Sequence, residues 1–320
     1  MANVTGTYKT YDQVGKKEDI EDIIYDISPT LTPFTSTIGT STASAVLHQW
    51  QQDQLSSVGA NAVAEGADAG TASADSTELK SAYTQIFSKV VQTSGTADVV
   101  EKYGRGSELQ YQIAKKGKEM RRDIEHAFVG AGQAGGSGSN DINSSAEGVT
   151  AVYDESSNTR TLTSAQNQIN ADTTSSNSGS GRDFLGTAGE DLLMDVLEKV
   201  YTEGGEPNQI QVTPSHAVNI AGFAASSGRT RDFDVGTKLV NAVDLYVSPF
   251  GECAVVPNRF LKSSDCLVLD TEYWSRAVLR PMQTIVLAKT GDSDKRQMLT
   301  EQTLVCENDK ASGLITDLNA

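Results

Sequence analysis

The chain has 320 residues, a net charge of −16 and an isoelectric point near 4.6, and 38% of its residues are hydrophobic. The excess of acidic side chains argues against nucleic-acid binding, which needs clustered Lys and Arg to neutralise phosphates. The hydrophobic share is below the usual range for a globular domain, so we expect long segments that bury little surface by themselves.

Targeting signals and membrane-spanning segments are not apparent in the sequence. No run approaches the ~18 apolar residues that a spanning helix needs. The first residues, Met1–Gly6, lack the basic stretch followed by an apolar stretch that marks a signal peptide. We therefore expect a protein that is made in a cytoplasm and stays there or in a particle.

The residue types that build metal sites and disulfide frameworks are few and scattered. The cysteines lie in separate apolar, strand-like runs and are predicted to be buried free thiols: Cys253, Cys266 and Cys306. The histidines fall on separate elements without a metal-binding spacing: His48, His126 and His216. We predict neither a metal site nor a disulfide framework.

Two short motifs resemble catalytic or cofactor signatures but lack the required context. The GxGxxG match at Gly130–Gly135 follows a helix, whereas a dinucleotide-binding motif follows a strand. Gly291–Ser293 lacks the flanks of a nucleophile elbow and is better explained as a hairpin tip, so a serine hydrolase using Ser293 is a remote alternative. We predict no catalytic site, no cofactor and no enzyme activity.

Residues 1–49 are mostly irregular and are predicted to form an arm. Four isoleucines at helical spacing predict a short amphipathic helix over residues 18–27, which the proline at position 29 ends. Residues 30–35 are predicted to be extended. An isolated three-turn helix with one apolar face needs a partner, which a neighbouring subunit would supply.

Two strand patterns flank a stretch rich in Ala, Ser, Gly and Thr. Residues 45–50 form the first, and residues 81–91 alternate with a period of two in the second. Together they predict an extended hairpin with a long excursion between its strands. A two-stranded ribbon is marginal in water, so the hairpin needs further contacts.

The strongest helix pattern covers residues 106–130. Its apolar stripe consists of Leu109, Ile113, Met120, Ile124 and Phe128. The opposite face is charged, with Lys115–Glu119 and Arg121–Glu125 at i,i+4 spacing. We predict a spine helix that packs against a sheet on one side.

The second half of the chain begins irregularly and then becomes ordered. Residues 132–185 are rich in Gly, Ser, Asn and Thr and are predicted to be an insertion outside any domain core. A helix is predicted between the capping box at 187–190 and Gly204. Strands follow, with a hairpin turn at 291–292, so this region is α+β.

The order of these parts resembles the Hong Kong ninety-seven capsid fold of tailed phages. Local segments are similar to the SU-ten-like phage major capsid family, in order along nearly the whole chain: Tyr11–Asp19, Ile27–Phe34, Trp50–Gln51, Glu65–Asp68, Tyr83–Phe87, Ala114–Glu119, Val256–Phe260 and Ala288–Asp292. The resemblance implies an α+β subunit that forms pentamers and hexamers of an icosahedral head around double-stranded DNA, without sequence-specific binding and without a membrane. A portal, a scaffold or decoration proteins are further candidate partners, and the virion is the expected location.

The resemblance also implies a division of the chain into capsid domains. The expected parts are an N-terminal arm (1–49), an extended loop over a neighbour (50–97), a spine helix of the peripheral domain (98–131), an insertion (132–185), a mostly axial domain (186–283) and closing peripheral strands (284–320). Some relatives of this fold crosslink a loop lysine to an asparagine. Lys80, Lys89 and Asn258 occupy comparable places, but no motif supports that chemistry.

A basic cluster on the spine helix is the candidate subunit interface. Positive charge is concentrated here in an acidic chain, on Lys115, Lys116, Lys118, Arg121 and Arg122, and the candidate interface residues are Lys115, Lys118, Arg121 and Arg122. We hypothesise that part of this cluster meets Glu65 or Asp68 from the loop of an adjacent subunit, which would set register and assembly rate. The simpler alternative is a solvated face with local ion pairs.

Two other classes of structural protein fit the sequence. An encapsulin-type compartment shell would have the same fold without a virus, and neighbouring genes for an enclosed enzyme would distinguish it. A phage tail or fibre component would fit the Gly/Ser/Thr-rich middle, and it would form rings or tubes in place of closed shells.

Overall fold

The computed structural model describes residues 28, 31–56, 58–68, 76–104, 106–130, 152–154, 159–176, 184–226 and 245–318. The predicted helix at 18–27 lies outside these residues. The helices are α1 Pro33–Thr37, α2 Gly95–Val99, α3 Glu108–Val129, α4 Ala165–Gln168, α5 Gly186–Thr202 and α6 Pro214–Ser226. The strands are β1 Gly39–Thr42, β2 Leu47–Gln52, β3 Glu78–Tyr83, β4 Gln85–Ser94, β5 Val152–Asp154, β6 Thr159–Thr161, β7 Thr174–Ser176, β8 Gln209–Val212, β9 Leu245–Ser248, β10 Gly251–Pro257, β11 Cys266–Leu269, β12 Trp274–Val286, β13 Ser293–Cys306 and β14 Gly313–Thr316.

A four-stranded sheet in the order β1-β12-β13-β4 carries the spine helix α3. Strand β13 runs antiparallel to both β12 and β4, and β1 runs parallel to β12. Strand β4 alternates as predicted, with Phe87 and Val91 buried and Ile86 and Val90 exposed. The turn predicted at 291–292 joins β12 to β13 and is confirmed.

Helix α3 confirms the predicted spine helix and its packing on a sheet. The buried side chains of its stripe, Met120, Ile124 and Phe128, share one core with Phe87 of β4 and Met298 of β13. The apolar stripe is interrupted at Gly117, where a Cβ atom would lie 3.4 Å from the Met298 methyl group, an ordinary van der Waals distance. The helix therefore packs against β13 at this turn without requiring a glycine there.

A six-stranded sheet in the order β7-β14-β11-β8-β10-β9 lies beside helices α5 and α6. Its central strand β11 is buried along its whole length. Leu267 and Leu269 of β11 face the core that contains α3, whereas Cys266 and Val268 face the core that contains α5 and α6. This sheet therefore separates two apolar cores.

Two local predictions in the first half need correction or refinement. Residues 33–35, part of the segment 30–35 that was predicted to be extended, lie in the short helix α1, because Pro33 is pre-shaped for a first helical turn. The predicted hairpin is confirmed as β2 paired with β3. Strand β4, however, pairs with β13 in the four-stranded sheet and is not part of the hairpin. The predicted loop boundary near residue 97 is therefore wrong, since the hairpin ends at Tyr83.

The predicted insertion at 132–185 is also wrong for its second part, because residues 162–176 enter the cores. Leu162, Ala165 and Ile169 are buried in the first core, and β7 pairs with β14 in the six-stranded sheet. Gln168 donates from Nε2 to the backbone carbonyl of Leu304, which fixes the segment against β13. The segment is rich in polar residues, and some of these residues hydrogen-bond to backbone groups. Its amino-acid composition therefore did not indicate that it would be buried.

Boundaries in the C-terminal half differ from the prediction as well. The expected border between residues 283 and 284 falls inside the single strand β12. The closing segment also divides, since β13 belongs to the four-stranded sheet and β14 to the six-stranded sheet. Helix α5 begins at Gly186, ahead of the predicted cap at Thr187, and its N-cap residue makes no side-chain hydrogen bond.

Candidate assembly surfaces

The hairpin leaves the body of the subunit as a long excursion. Its paired part ends at Gln52 and Glu78, the last partners in the register of β2 and β3. Beyond this point Leu55 and Val58 are almost fully exposed, and Val63 is mostly exposed. The described part of the excursion thus presents apolar side chains to solvent.

A tight turn on the excursion presents its acidic residues. The Ala67 N–H donates to the Ala64 carbonyl oxygen at 3.1 Å, and Gly66 has a φ of 81°. That left-handed conformation suits glycine because it lacks a Cβ atom. Glu65 lies within this turn and Asp68 directly follows it, and both are exposed, as an intersubunit role requires.

The paired part of the hairpin is attached to the body of the subunit, including the segment that follows β13. Trp50 packs against a small core of Ala43, Ala277 and Val305. Gln52 donates from Nε2 to the backbone carbonyl of Glu307 at 2.9 Å. The predicted need for further contacts is thus met, for this paired part, inside the same subunit.

Lys80 adds an ionic contact to the same attachment. Its Nζ lies 2.7 Å from Glu78 and 3.4 Å from Asp309, and only 15% of its side chain is exposed. Burial opposes the charge of Lys80, but the hydrogen bond with Glu78 and the nearby Asp309 carboxylate outweigh it and raise the pKa. Lys80 is therefore a charged, paired residue rather than a nucleophilic amine.

The hairpin joins the four-stranded sheet at a buried carboxylate. Thr84, between β3 and β4, donates from its hydroxyl to Oε1 of Glu301 at 2.8 Å. Arg160 donates to the same oxygen at 2.9 Å, and Arg280 donates to Oε2 at 2.7 Å. Glu301 is 3% exposed, and the two guanidinium groups compensate its charge.

A second buried carboxylate holds α1, which lies within the predicted arm. The backbone N–H groups of Phe34 and Thr35 donate to the two carboxylate oxygens of Glu125, each at 2.8 Å. The Asn258 amide also donates to Glu125 at 2.8 Å, which links α3 to the six-stranded sheet layer. The Phe34 ring packs edge-on against Phe128 and against Trp274 of β12.

Three residues of the basic cluster of α3 are exposed, and a fourth lies against an aromatic ring of the same subunit. Lys115, Lys118 and Arg121 are exposed, as a surface cluster requires. The Arg122 guanidinium lies 5.7 Å from the ring centre of Phe260 in the same subunit, so Arg122 belongs to an internal contact.

The local ion pairs predicted on α3 differ from those observed. Glu119 pairs with Lys116 at 2.6 Å, at i,i+3 spacing, and not with Lys115. Glu125 points into the protein and accepts backbone N–H groups, so it does not serve Arg121. Among the described residues, neither of the two predicted i,i+4 pairs forms.

The face of the four-stranded sheet opposite α3, here called the outer face, carries a partly exposed apolar row. Ile86 is 43% exposed, Val90 is 46% exposed and Ile285 is 39% exposed. Val90 and Ile285 both lie opposite Gln297 in the strand register, so their side chains share one face. Ile86 lies on the same face as Val90, because side chains alternate along β4.

The predicted free thiols are confirmed: the three cysteines are unpaired and buried. Burial raises the pKa of Cys253 to about 11 and raises the pKa of Cys266 and Cys306 further. Within the described ranges, no group of His, Cys, Asp and Glu could hold a metal ion, and no helix is long and apolar enough to cross a membrane.

The residues considered for crosslinking or hydrolysis are engaged in structural contacts. Asn258 is fully buried beside Glu125, and Lys89 pairs with Asp123 at 2.5 Å. Ser293 begins β13, and its hydroxyl accepts a hydrogen bond from the Gln92 amide at 2.9 Å. These contacts fit the hairpin interpretation of Gly291–Ser293.

Comparison with known proteins shows the family to which the chain belongs. The sequence model of the family described as SU10 major capsid protein matches residues 3–319. The chain belongs to this family. The major capsid protein of Escherichia phage Phieco32 is 32% identical over an alignment of 356 residues, which covers 98% of this chain and 97% of that protein. The chain is therefore the major capsid protein of a phage head, a virion structural protein.

Solved structures show the fold of this capsid protein. The capsid of a native GTA particle is similar with a TM-score of 0.69 at 9% identity, over 97% of this chain and 98% of that one. The SrpI encapsulin complex of Synechococcus elongatus PCC 7942 is similar with a TM-score of 0.53 at 9% identity, over 92% of both chains. At such low identity the likeness concerns the fold alone, and that fold is the Hong Kong ninety-seven type, as predicted.

Proposed function

We propose that the chain assembles into pentamers and hexamers of an icosahedral head that encloses double-stranded DNA. In this proposal it has no catalytic role and assembles in the cytoplasm of the host. The excursion is the observation that carries the proposal, because Leu55, Val58 and Val63 hold apolar surface in solvent. Burial of that surface against another subunit would be favourable, at about 25 cal/mol per Å².

The excursion of one subunit would lie on the outer face of its neighbour's four-stranded sheet. The partly exposed apolar row of Ile86, Val90 and Ile285 supports this docking position. Residues 53–56 and 58–68 are not in helices or strands, so they can adapt to that surface. Docking would cover two apolar surfaces that a single subunit leaves in water.

The two sheets support a division into peripheral and axial domains. The peripheral domain would contain α3 with the four-stranded sheet, and the axial domain would contain α5 and α6 with the six-stranded sheet. In this proposal β12 and β13 are peripheral, whereas β14 is axial. The N-terminal arm would join the body at α1, whose Phe34 is fully buried.

The exposed basic residues of α3 would meet acidic residues of an adjacent excursion. Lys115, Lys118 and Arg121 supply the positive charge, and Glu65 and Asp68 supply the negative charge. Charge pairs at the rim of an interface act mainly on register and association rate. Arg122 is left out of this pairing because it lies over Phe260.

Electron microscopy of the purified protein, expressed alone or with a scaffold partner, tests the proposed assembly. Closed shells are expected, and a portal or decoration proteins would bind those shells. A well-behaved monomer in sedimentation under all salt and scaffold conditions would contradict the proposal. Tubes or rings would favour a tail component, and shells that package an enzyme would favour a cellular compartment.

A pair of matched variants tests the docking role of the excursion. Leu55→Asp with Val58→Asp replaces exposed apolar side chains and should block shell formation while the subunit stays folded. Gln54→Asp with Asn61→Asp adds the same charge to the same excursion without removing apolar surface, and it should assemble. If both double variants form shells equally well, apolar docking through these residues is wrong.

A further inference from the structure

Two glutamates are almost completely buried, and each lies where a projecting segment joins the body. Glu125 is 0% exposed and lies beneath α1, the attachment point of the arm. Glu301 is 3% exposed and lies beneath Thr84, the attachment point of the excursion. A buried carboxylate costs free energy unless several donors compensate it, so its presence at both attachment points calls for an explanation.

Glu125 connects α1 to two other parts of the subunit. It accepts the N–H groups of Phe34 and Thr35, the second and third residues of α1. Asn258, which donates to the same carboxylate, also donates to Gln211 of β8 at 3.1 Å. The carboxylate therefore fixes α1 relative to both α3 and the six-stranded sheet.

Glu301 performs the equivalent connection for the excursion. Thr84 belongs to the hairpin side, Arg160 to β6 and Arg280 to β12, and all three donate to the one carboxylate. The strand β12 is irregular at this point, with register shifts on either side of Arg280. Glu301 therefore fixes the direction in which the hairpin leaves a bent part of the sheet.

We propose that Glu125 and Glu301 are positioning residues for assembly, each of which holds one projecting segment in the orientation that meets a neighbour. Apolar side chains of similar volume could fill either place, but they would not bind N–H and O–H groups in a fixed direction. The proposal rests on the proposed function, because orientation matters only if these segments contact other subunits.

Replacement of each carboxylate by its amide separates positioning from packing. A glutamine keeps the shape but turns one acceptor oxygen into an NH2 donor, which then faces an N–H or guanidinium donor. In Glu125→Gln, amide hydrogen exchange in residues 31–38 should become at least about tenfold faster, because a bond to a charged acceptor is lost. In Glu301→Gln the same acceleration should appear in residues 43–50 and 78–86.

The pattern of the two responses decides the proposal. In each variant, amide exchange should become faster in the segment that its own glutamate holds. Exchange in the segment held by the other glutamate should stay unchanged. Glu119→Gln on α3 and Asp294→Asn on β13 remove partly exposed carboxylates from the same elements, and they should change neither segment. Unchanged exchange in folded variants, or a uniform acceleration over the whole chain, would overturn the positioning role.

Alternative variants keep the test valid if an amide variant does not fold. Thr84→Val removes only the hairpin's bond to Glu301 and leaves both arginines in place. Glu125→Asp keeps the charge but withdraws the carboxylate from α1. Each should accelerate amide exchange in the same segment as the corresponding amide variant. Unchanged exchange in that segment would overturn the proposal for that residue.

Shell formation is measured separately from exchange. Folded Glu125→Gln and Glu301→Gln subunits should form shells more slowly than the wild type, as followed by light scattering and electron microscopy. If the wild type forms no shells, the proposed function fails, whereas the exchange pattern still tests the attachment. If both variants form shells at the wild-type rate despite a freed segment, positioning for assembly is wrong.

Discussion

The ammonium nitrogen of Lys80 lies 3.4 Å from a carboxylate oxygen of Asp309, which attaches the hairpin to the segment after β13. Both side chains are mostly buried, at 15% and 18% exposure. Lys80→Met should therefore lower the free energy of unfolding by roughly 1–2 kcal/mol in chemical denaturation. Lys289→Met breaks a pair whose lysine is 68% exposed and should cost much less, because solvent screens an exposed pair. Equal losses would mean that the Lys80 contact has no special role.

Protease sensitivity of the excursion should depend on assembly. Residues 53–77 are rich in Ala, Gly and Ser, and ordering each backbone residue costs roughly 1–2 kcal/mol. Elastase should therefore cut this segment in free subunits, and the cut should disappear in shells. Mass spectrometry of the fragments locates the cut sites, and equal cleavage in both states would argue against an intersubunit role.

Charge reversal on α3 tests the predicted interface. Lys115→Glu with Arg121→Glu should slow shell formation at low salt and leave the circular dichroism spectrum unchanged. A further change of Glu65→Lys with Asp68→Lys should restore part of the rate if the two groups pair. Wild-type assembly kinetics in the first variant would indicate a solvated face.

The cysteines should resist thiol reagents while the protein is folded. The pKa of Cys253 is about 11, so at pH 8 only about one molecule in a thousand carries the reactive thiolate. Labelling followed by mass spectrometry should find none of the three thiols modified in the folded state and all three modified in denaturant. Because burial raises these pKa values above the ordinary 9.0, stability is full below pH 9 and falls as the pH rises towards 11. Rapid labelling at pH 8 would contradict the burial.

Acid should loosen the start of α3. The backbone N–H of Leu109 donates to the Asp98 carboxylate and, despite some desolvation, holds its pKa below the ordinary 3.8. The stabilisation is present above pH 3.8 and is lost as the pH falls through the lower folded value. Amide exchange near Leu109 should therefore be faster in Asp98→Asn than in the wild type at pH 6, and this difference should vanish in strong acid.

Local patterns in the sequence predicted the elements that are regular and amphipathic. The stripe of Met120, Ile124 and Phe128 predicted α3, and the alternation around Phe87 predicted β4, because each pattern reports one buried face. Residues 162–176 were missed, since their burial depends on hydrogen bonds such as that from Gln168 to β13. Composition cannot reveal contacts that join positions more than a hundred residues apart.

The candidate surfaces were predicted in part for the same reason. The exposure of Glu65, Asp68 and Arg121 follows from their polar surroundings, whereas the contact of Arg122 with Phe260 depends on the tertiary fold. The buried role of Glu125 had a weak local signal, since it follows Ile124 and precedes Phe128 by three positions on the apolar side of α3. Its charge made a solvent-facing pair with Arg121 the more obvious interpretation.

Strand β14, at residues 313–316 of a 320-residue chain, lies between β7 and β11 in the six-stranded sheet. A nascent chain on the ribosome therefore lacks an inner strand of this sheet until residues 313–316 have emerged. Prematurely terminated products cannot close the core around Leu314 and Ile315. Folding therefore distinguishes complete subunits from truncated ones, because a fragment without this strand has no finished sheet to bring into a shell.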